Sequence, residues 1–393
     1  MGEKEMIKSG GRFLISIIIL IIFNVNVLAI GVGTTGANYL KIDPGVRSAA
    51  LGSTYVGLAE DSNALYWNPA GIARISYASV DTMQMNWLAG ITQQQISGLY
   101  PMGDWGVIGG YYSSLTTPYD KETAYDNAGN YYETGKDFNS EIKLVNLTYA
   151  KQLNSKLSMG VGLKHIEERL FNVRTNGMAL DAGLHYQGFI LPDLAVGLVL
   201  QNYTLTALRN DEPFPQTIIL GAAYTFKLFG SQKLTILGDV NFPNDNNIFY
   251  GAGLEYAINH YLAFRIGYKD KVGATLGCGL RLWNLNLNYA YVPYGDLGTT
   301  YRVSVGYDFD NRAEIFKKAE KENKVEKTLI INPNENIFEE TDEAKENIEE
   351  LPNVNTEEKI NTANVMENEI SSGESSPEAK EIVSAEVDDL FEE

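Results

Sequence analysis

Strict alternation with period two is the feature that most constrains what this chain can fold into. Tyr301, Val303, Val305, Tyr307 and Phe309 alternate with Arg302, Ser304, Gly306 and Asp308. Leu285, Leu287, Tyr289 and Tyr291 alternate with Asn286, Asn288 and Ala290, and Leu262, Phe264, Ile266 and Tyr268 with Ala263, Arg265 and Gly267. Met178, Leu180, Ala182, Leu184 and Tyr186 do the same against Ala179, Asp181, Gly183 and His185. Neighbouring side chains on a strand point to opposite faces, so each segment has one apolar face and one polar or small face. Fourteen such strands can be counted, starting near residues 75, 91, 104, 138, 156, 177, 193, 214, 232, 247, 260, 272, 284 and 300.

Very short connections are expected after even strands, around Met102-Gly103, Asn154-Ser155, Pro192, Gly230, Asn259 and Asn284. Connections after odd strands read as mostly longer, led by Leu115–Asp137 and Thr206–Pro213, with a tight Ala89-Gly90 turn as the exception. An even strand number with short turns on one side and long loops on the other is the pattern of an outer-membrane β-barrel with both ends in the periplasm. The competing reading is a soluble β-sandwich or barrel, whose apolar face points inward. Periodicity alone does not separate the two. The membrane reading is favoured by the Tyr-rich apolar faces, by Gly, Asn, Arg and Asp on the opposite faces, and by the first thirty residues.

Those residues read as an export signal. Lys4, Lys8 and Arg12 precede an apolar run from Phe13 to Phe23, and Val27-Leu28-Ala29 supplies small residues for cleavage after Ala29. The run is shorter than the ~20 residues of a spanning helix, which argues against an uncleaved anchor. The other end differs again. Residues 311–393 hold 24 acidic and 9 basic residues, with one glycine, no Tyr and no Trp, whereas all 24 tyrosines lie between residues 30 and 310. So little apolar surface cannot offset chain entropy, and the tail is expected to be mostly disordered and periplasmic. It serves as a solvated spacer or binds a basic partner. The chain therefore divides into a signal peptide (1–29), an N-terminal segment (30–73), a barrel (74–310) and an acidic tail (311–393).

Composition excludes several chemistries. A net charge of −19 argues against nucleic acid as a partner. One cysteine, Cys278, forms no internal disulfide, and the three histidines form no zinc pattern. Gly31-Val32-Gly33-Thr34-Thr35-Gly36 matches a dinucleotide-binding pattern, but no strand precedes it and no βαβ unit follows. Asp181 and His185 share a face and could form an acid/base pair, yet a nucleophile is missing. Glu167-Glu168 beside Arg169 resembles loop-facing charge. No enzyme, cofactor or metal is expected.

Three stretches carry a family resemblance. The first runs from Tyr39-Leu40-Lys41-Ile42 through Gly45-Val46-Arg47-Ser48-Ala49-Ala50-Leu51-Gly52 and Ala59-Glu60-Asp61 to Ala64-Leu65-Tyr66-Trp67-Asn68-Pro69-Ala70-Gly71. The second is Asp239-Val240-Asn241-Phe242-Pro243 with Gly253–Tyr256 and Leu262–Tyr268; the third runs from Tyr289 through Gly295-Asp296-Leu297-Gly298 to Phe309. Over about residues 38–309 the chain resembles the PorV/PorQ family of outer-membrane proteins, which belongs with FadL-type barrels. That resemblance implies a fourteen-stranded transmembrane barrel in the outer membrane of a diderm bacterium, with the first stretch entering the lumen as a hatch. The hatch motif is then Arg47, Asp61, Tyr66, Trp67, Asn68, Pro69 and Gly71, read as a plug or gate or as a structural seal. Asn68 suits a helix N-cap with Pro69 at the first position. Phe309 ends the barrel-closing strand, and the long tail after it departs from the family.

Three roles follow from this. The family implies an accessory barrel of type IX-like protein secretion, with secreted proteins or secretion-machinery subunits as partners. The FadL-type alternative is a channel for hydrophobic small molecules, with aromatic loops at Tyr111-Tyr112, Tyr119, Tyr125 and Tyr131-Tyr132. The third is a structural envelope protein. Outer-membrane lipids are the surroundings in all three.

Overall fold

The computed structural model describes residues 31, 33–209 and 212–309. The expected signal peptide and acidic tail lie outside the described residues. Sixteen strands follow one another: β1 (Ala78–Asn86), β2 (Thr92–Pro101), β3 (Val107–Thr116), β4 (Asp120–Tyr125), β5 (Tyr131–Phe138), β6 (Ser140–Gln152), β7 (Leu157–Leu170), β8 (Val173–Gln187), β9 (Leu194–Thr206), β10 (Thr217–Lys227), β11 (Lys233–Pro243), β12 (Phe249–Ile258), β13 (Leu262–Lys269), β14 (Gly273–Leu282), β15 (Leu285–Pro293) and β16 (Thr299–Phe309). All except β4 and β5 form one closed antiparallel barrel of fourteen strands, sealed where β1 pairs with β16 from Ala78↔Phe309 to Asn86↔Tyr301. Closure leaves no strand edge unpaired, which is what allows a sheet to stand in lipid.

The side-chain pattern decides which way round the barrel is built. On β16, Val303 is 47 % exposed while Arg302 is 1 % exposed. Tyr301, Val305, Tyr307 and Phe309 share the outer face, and Thr300, Ser304 and Asp308 are buried inside. The same division holds on β8, with Asp181 and His185 buried in the lumen. An apolar coat around a lumen that holds the buried charges is the inverse of a soluble sandwich and the arrangement of a membrane barrel. No helix among the described residues is long and apolar enough to cross a bilayer.

The two mouths of the barrel differ. The terminal mouth holds the start of β1 and the end of β16; the loop mouth is opposite. The expected long connection 115–137 contains a separate two-stranded sheet, β4 paired with β5. Its turn is locked by Asp126, whose Oδ1 accepts from the Ala128 and Asn130 amides at 2.9 and 2.8 Å. The contrast between long and short connections is weaker than the sequence suggested. At the loop mouth β7 and β8 are joined by Phe171-Asn172 alone, with Phe171 at φ 54°. The wall also begins at Ala78 rather than at residue 74, because a 3₁₀ turn, Pro69–Arg74, precedes it.

The residues before β1 fill the lumen. They form a 3₁₀ turn at Asn38–Lys41, short helices at Val46–Ala50 and Ala64–Trp67, and the turn at Pro69–Arg74. At the loop mouth the Gly36 amide donates to the Pro213 carbonyl at 3.0 Å, and Lys41 pairs with Asp245. At the terminal mouth Arg74 donates to the Ser155 carbonyl and Gln152 to the Ala73 carbonyl, both at 3.1 Å. The segment thus runs the height of the barrel. Its larger apolar cluster packs Leu51, Tyr55, Val56, Leu65 and Trp67 against one side of the wall. A smaller one sets Val46, Ala49 and Ala50 against Met83, Met85, Ala290 and Val292.

Candidate functional site: the lumenal segment and its wall

Seven of the eight consecutive strands β7 to β14, all but β11, face the segment with glycine. Gly160 on β7 meets Pro69, Gly183 on β8 meets Asn68, Gly197 on β9 meets Val56, and Gly221 on β10 meets Gly57. Gly251 and Gly253 on β12 meet Gly52, Thr54 and Leu51, Gly267 on β13 meets Gly52, and Gly277 on β14 meets Ala50. A Cβ at any of these positions would overlap the segment. Absent side chains on the wall let two backbones approach, and the segment's main-chain groups then find polar partners on the wall. Asp239 on β11 accepts from the Tyr55 and Val56 amides at 2.8 and 3.0 Å. Thr275 donates to the Ala50 carbonyl at 3.1 Å, and Gln201 to the Tyr66 carbonyl at 2.7 Å. A buried backbone group without a partner would cost ~1–3 kcal/mol, so this wall is fitted to an irregular chain.

The residues of the N-terminal motif fall into two groups. Arg47 makes a forked contact with Glu255 of β12, Nε to Oε2 at 2.8 Å and Nη2 to Oε1 at 2.5 Å. It also reaches Asp61 at 3.0 Å and Glu60 at 2.6 Å. Arg265 of β13 backs Glu255 at 2.6 Å. Tyr66, Trp67, Asn68, Pro69 and Gly71 form the second group. Asn68 caps the Pro69–Arg74 turn by accepting from the Ala70 amide at 3.1 Å, and its Nδ2 donates to the Val56 and Leu184 carbonyls at 3.0 and 3.2 Å. A Cβ on Gly71 would collide with Ala59. Tyr66 donates to the Leu40 carbonyl at 3.0 Å and stands edge-on to Trp67, with centroids 5.2 Å apart. Phe309 lies apart from both groups, exposed on the outer face at the terminal mouth and opposite Ala78.

Asp181 and His185 do not meet. Asp181 pairs with Lys164 at 2.7 Å, both side chains fully buried, and accepts from the Asn202 amide at 2.8 Å. Lys164 also donates to Asn202 Oδ1 at 2.7 Å and sits 5.0 Å over the Tyr66 ring. Asn202 lies at φ 56° where the β8–β9 register shifts. His185 Nε2 donates to the Gly57 carbonyl at 2.9 Å, which fixes the proton on that nitrogen because a carbonyl only accepts. Both residues brace the segment. Glu168 and Arg169 are likewise taken, by Arg209 at 2.6 Å and Glu141 at 3.3 Å. Among the described residues no group of three or more His, Cys, Asp or Glu side chains is placed to hold a metal ion.

Below the segment, at the terminal mouth, lies a cavity of about 520 Å³. Arg47, Asp61, Asp81, Glu255, Arg265 and Arg281 are among its lining, so it is charged rather than oily.

No family model matches this chain, and no curated protein does. Solved structures resemble its fold. The Ralstonia pickettii toluene transporter TbuX is 15% identical, covering 67% of this chain and 97% of its own, at a TM-score of 0.45. The Pseudomonas putida toluene transporter TodX is 12% identical over 67% and 98% at 0.45, and a Pseudomonas aeruginosa FadL homologue 10% identical over the same shares at 0.42.

Asp61 makes the segment's hold sensitive to acid. Burial pushes its carboxyl up, but Arg47 and hydrogen bonds from Asn63 outweigh this and hold it below the ordinary carboxylate range. A depressed folded-state value contributes stability that is complete above the unfolded value and lost as pH falls through the folded one. Protease resistance of residues 45–61 is therefore expected to be constant down to about pH 4 and to fall below it. Asp61→Asn should be less protected at neutral pH and should lack most of that acid step. A variant with an undiminished step would place the titration elsewhere.

Proposed function

We propose that this chain is a gated channel for small apolar molecules in the outer membrane of a diderm bacterium, with both termini on the periplasmic side and the lumenal segment as the gate. The observation that carries it is the apolar wall against which the segment packs. Leu99, Tyr111, Leu144, Ile166, Val199, Ile219 and Leu237 point inward from seven different strands and pack with Leu65 and Trp67. Water-filled barrels are lined by polar groups. Movement of the segment would uncover an apolar track that wets poorly and suits a hydrophobic solute. The printed names of the similar structures, toluene transporters among them, agree with this class.

The secretion role implied by the PorV/PorQ resemblance draws on a different feature, the hairpin β4–β5. It presents Tyr125 and Tyr131 at 75 and 62 % exposure, a surface on which a protein could dock. One deletion strain separates the two readings. Conduction requires slower toluene or fatty-acid uptake with an unchanged set of surface proteins; secretion requires the reverse. Normal uptake and normal surface proteins together would leave only an envelope role.

A further inference from the structure

One row of the wall carries an arginine and an aspartic acid, Arg281 and Asp81, that the fold leaves without an ion pair among the described residues. Cross-strand pairing places Arg281 (β14) opposite Asn286 (β15), Asn286 opposite Gly306 (β16), and Gly306 opposite Asp81 (β1). All four line the 520 Å³ cavity at the terminal mouth. Strands lie about 4.8 Å apart, so Arg281 and Asp81 are separated by roughly 14 Å along this row. Both lean inward along it. Arg281 Nε donates to Asn286 Oδ1 at 2.6 Å. The Asp81 carboxylate lies over Gly306, 2.7 Å from where a Cβ there would stand.

Most other lumenal cations are engaged, Lys227 by Asp193 among them, while Lys233 in the same lining is exposed. Arg47 and Arg265 hold Glu255, Lys269 pairs with Asp43, and Arg302 donates to the Asp43 carbonyl. Neither Arg281 nor Asp81 has an ion-pair partner among the described residues. Charges held in a concave, half-desolvated site attract a counter-charge strongly. Asp81 stands among other carboxyls, Asp61 and Asp308, so its end of the cavity favours a cation, whereas Arg281 at the other end favours an anion. A neutral solute carrying both charges satisfies both ends.

We propose that this cavity binds a small zwitterion of the amino-acid type, its carboxylate on Arg281 and its ammonium on Asp81, over the gap that Gly306 leaves open. The site is separate from the apolar track and stands whether or not that track conducts, because binding can be read without transport.

The test is calorimetric titration of the full chain, folded in detergent micelles, with L-alanine, acetate and ethylammonium as probes. L-Alanine is expected to saturate with a Kd of roughly 1 mM, and each single-charge probe to bind at least about tenfold more weakly, a gap of about 1.4 kcal/mol. Arg281→Gln and Asp81→Asn should each weaken L-alanine by a similar factor, and the exchange Arg281→Asp with Asp81→Arg should recover it. Asn286→Ala removes only the bond that aims Arg281, so it gives a milder variant and a smaller loss should either charge variant not refold. Three results overturn the proposal. They are no saturable L-alanine binding, acetate or ethylammonium binding as tightly as L-alanine, and single-charge or Asn286→Ala variants that bind as tightly as the native chain. The last would mean that Arg281 and Asp81 do not hold the ligand.

Discussion

Gly267→Val is expected to open the barrel. Its added carbons would occupy the place of the Leu51–Gly52 peptide. A wall strand paired on both sides resists movement, because each residue of β13 is tied into a ladder with β12 and β14. The segment makes no such ladder, so it is the part that gives way. Overpacking of this kind costs about 1–3 kcal/mol. That is enough to shift a closed segment toward release, since 1.4 kcal/mol changes an equilibrium tenfold. The measurement is conductance of the purified chain in a planar bilayer, with urea unfolding as the companion. Frequent channel openings are expected in Gly267→Val and in Gly197→Val, which meets the Val56 carbonyl four strands further round the wall. The control is Gly238→Ala on β11, which faces outward with nothing near its added carbon and should match the native chain. Variants that lose stability but never conduct would show that the segment seals the lumen without gating it.

Much of the barrel was legible because its grammar is local. Alternation on β16, β15, β13 and β8 needs no knowledge of partners, and the strand starts fall within a few residues of those observed. The hairpin β4–β5 escaped because an isolated pair in water need not bury one face, so its alternation is weak. The site was half legible. Asn68-Pro69 announces its own cap, and Arg47 stands out as a charge in a run of small residues. Glu255, Asp239, Lys164 and Gln201 could not be matched to them, since these contacts join residues about a hundred or more positions apart. One available signal was overlooked. Glycines recur on the polar face of many strands, and a face that carries Gly rather than Asn or Ser is a face something else must approach. The two-residue β7–β8 turn at Phe171 was likewise hidden, because neither Phe171 nor Asn172 is the glycine that positive φ usually selects.

Arg47→Met is expected to be the most damaging single change in the segment. The guanidinium sits between Glu255 on the wall and Asp61 and Glu60 on the segment, so its loss leaves Glu255 in a desolvated place with Arg265 as its remaining cation. Breaking a buried pair by removing one partner costs about 3–5 kcal/mol, because the surviving charge is not rehydrated. Glu60 is largely exposed and contributes little of this. Arg47→Lys keeps the charge but loses the fork, so a smaller loss of about 1–2 kcal/mol is expected. The effect should also be non-additive. In Arg47→Met with Glu255→Gln the Arg47–Glu255 contact is lost only once and the amide oxygen can still accept from Arg265, so the double variant should be more stable than the sum of the singles. Because the strand ladders do not pass through Arg47, the loss is expected as early protease cleavage within residues 45–61, with the barrel unfolding later. A single coincident transition, shifted by less than about 1 kcal/mol, would show that Arg47 is not what clamps the segment to β12.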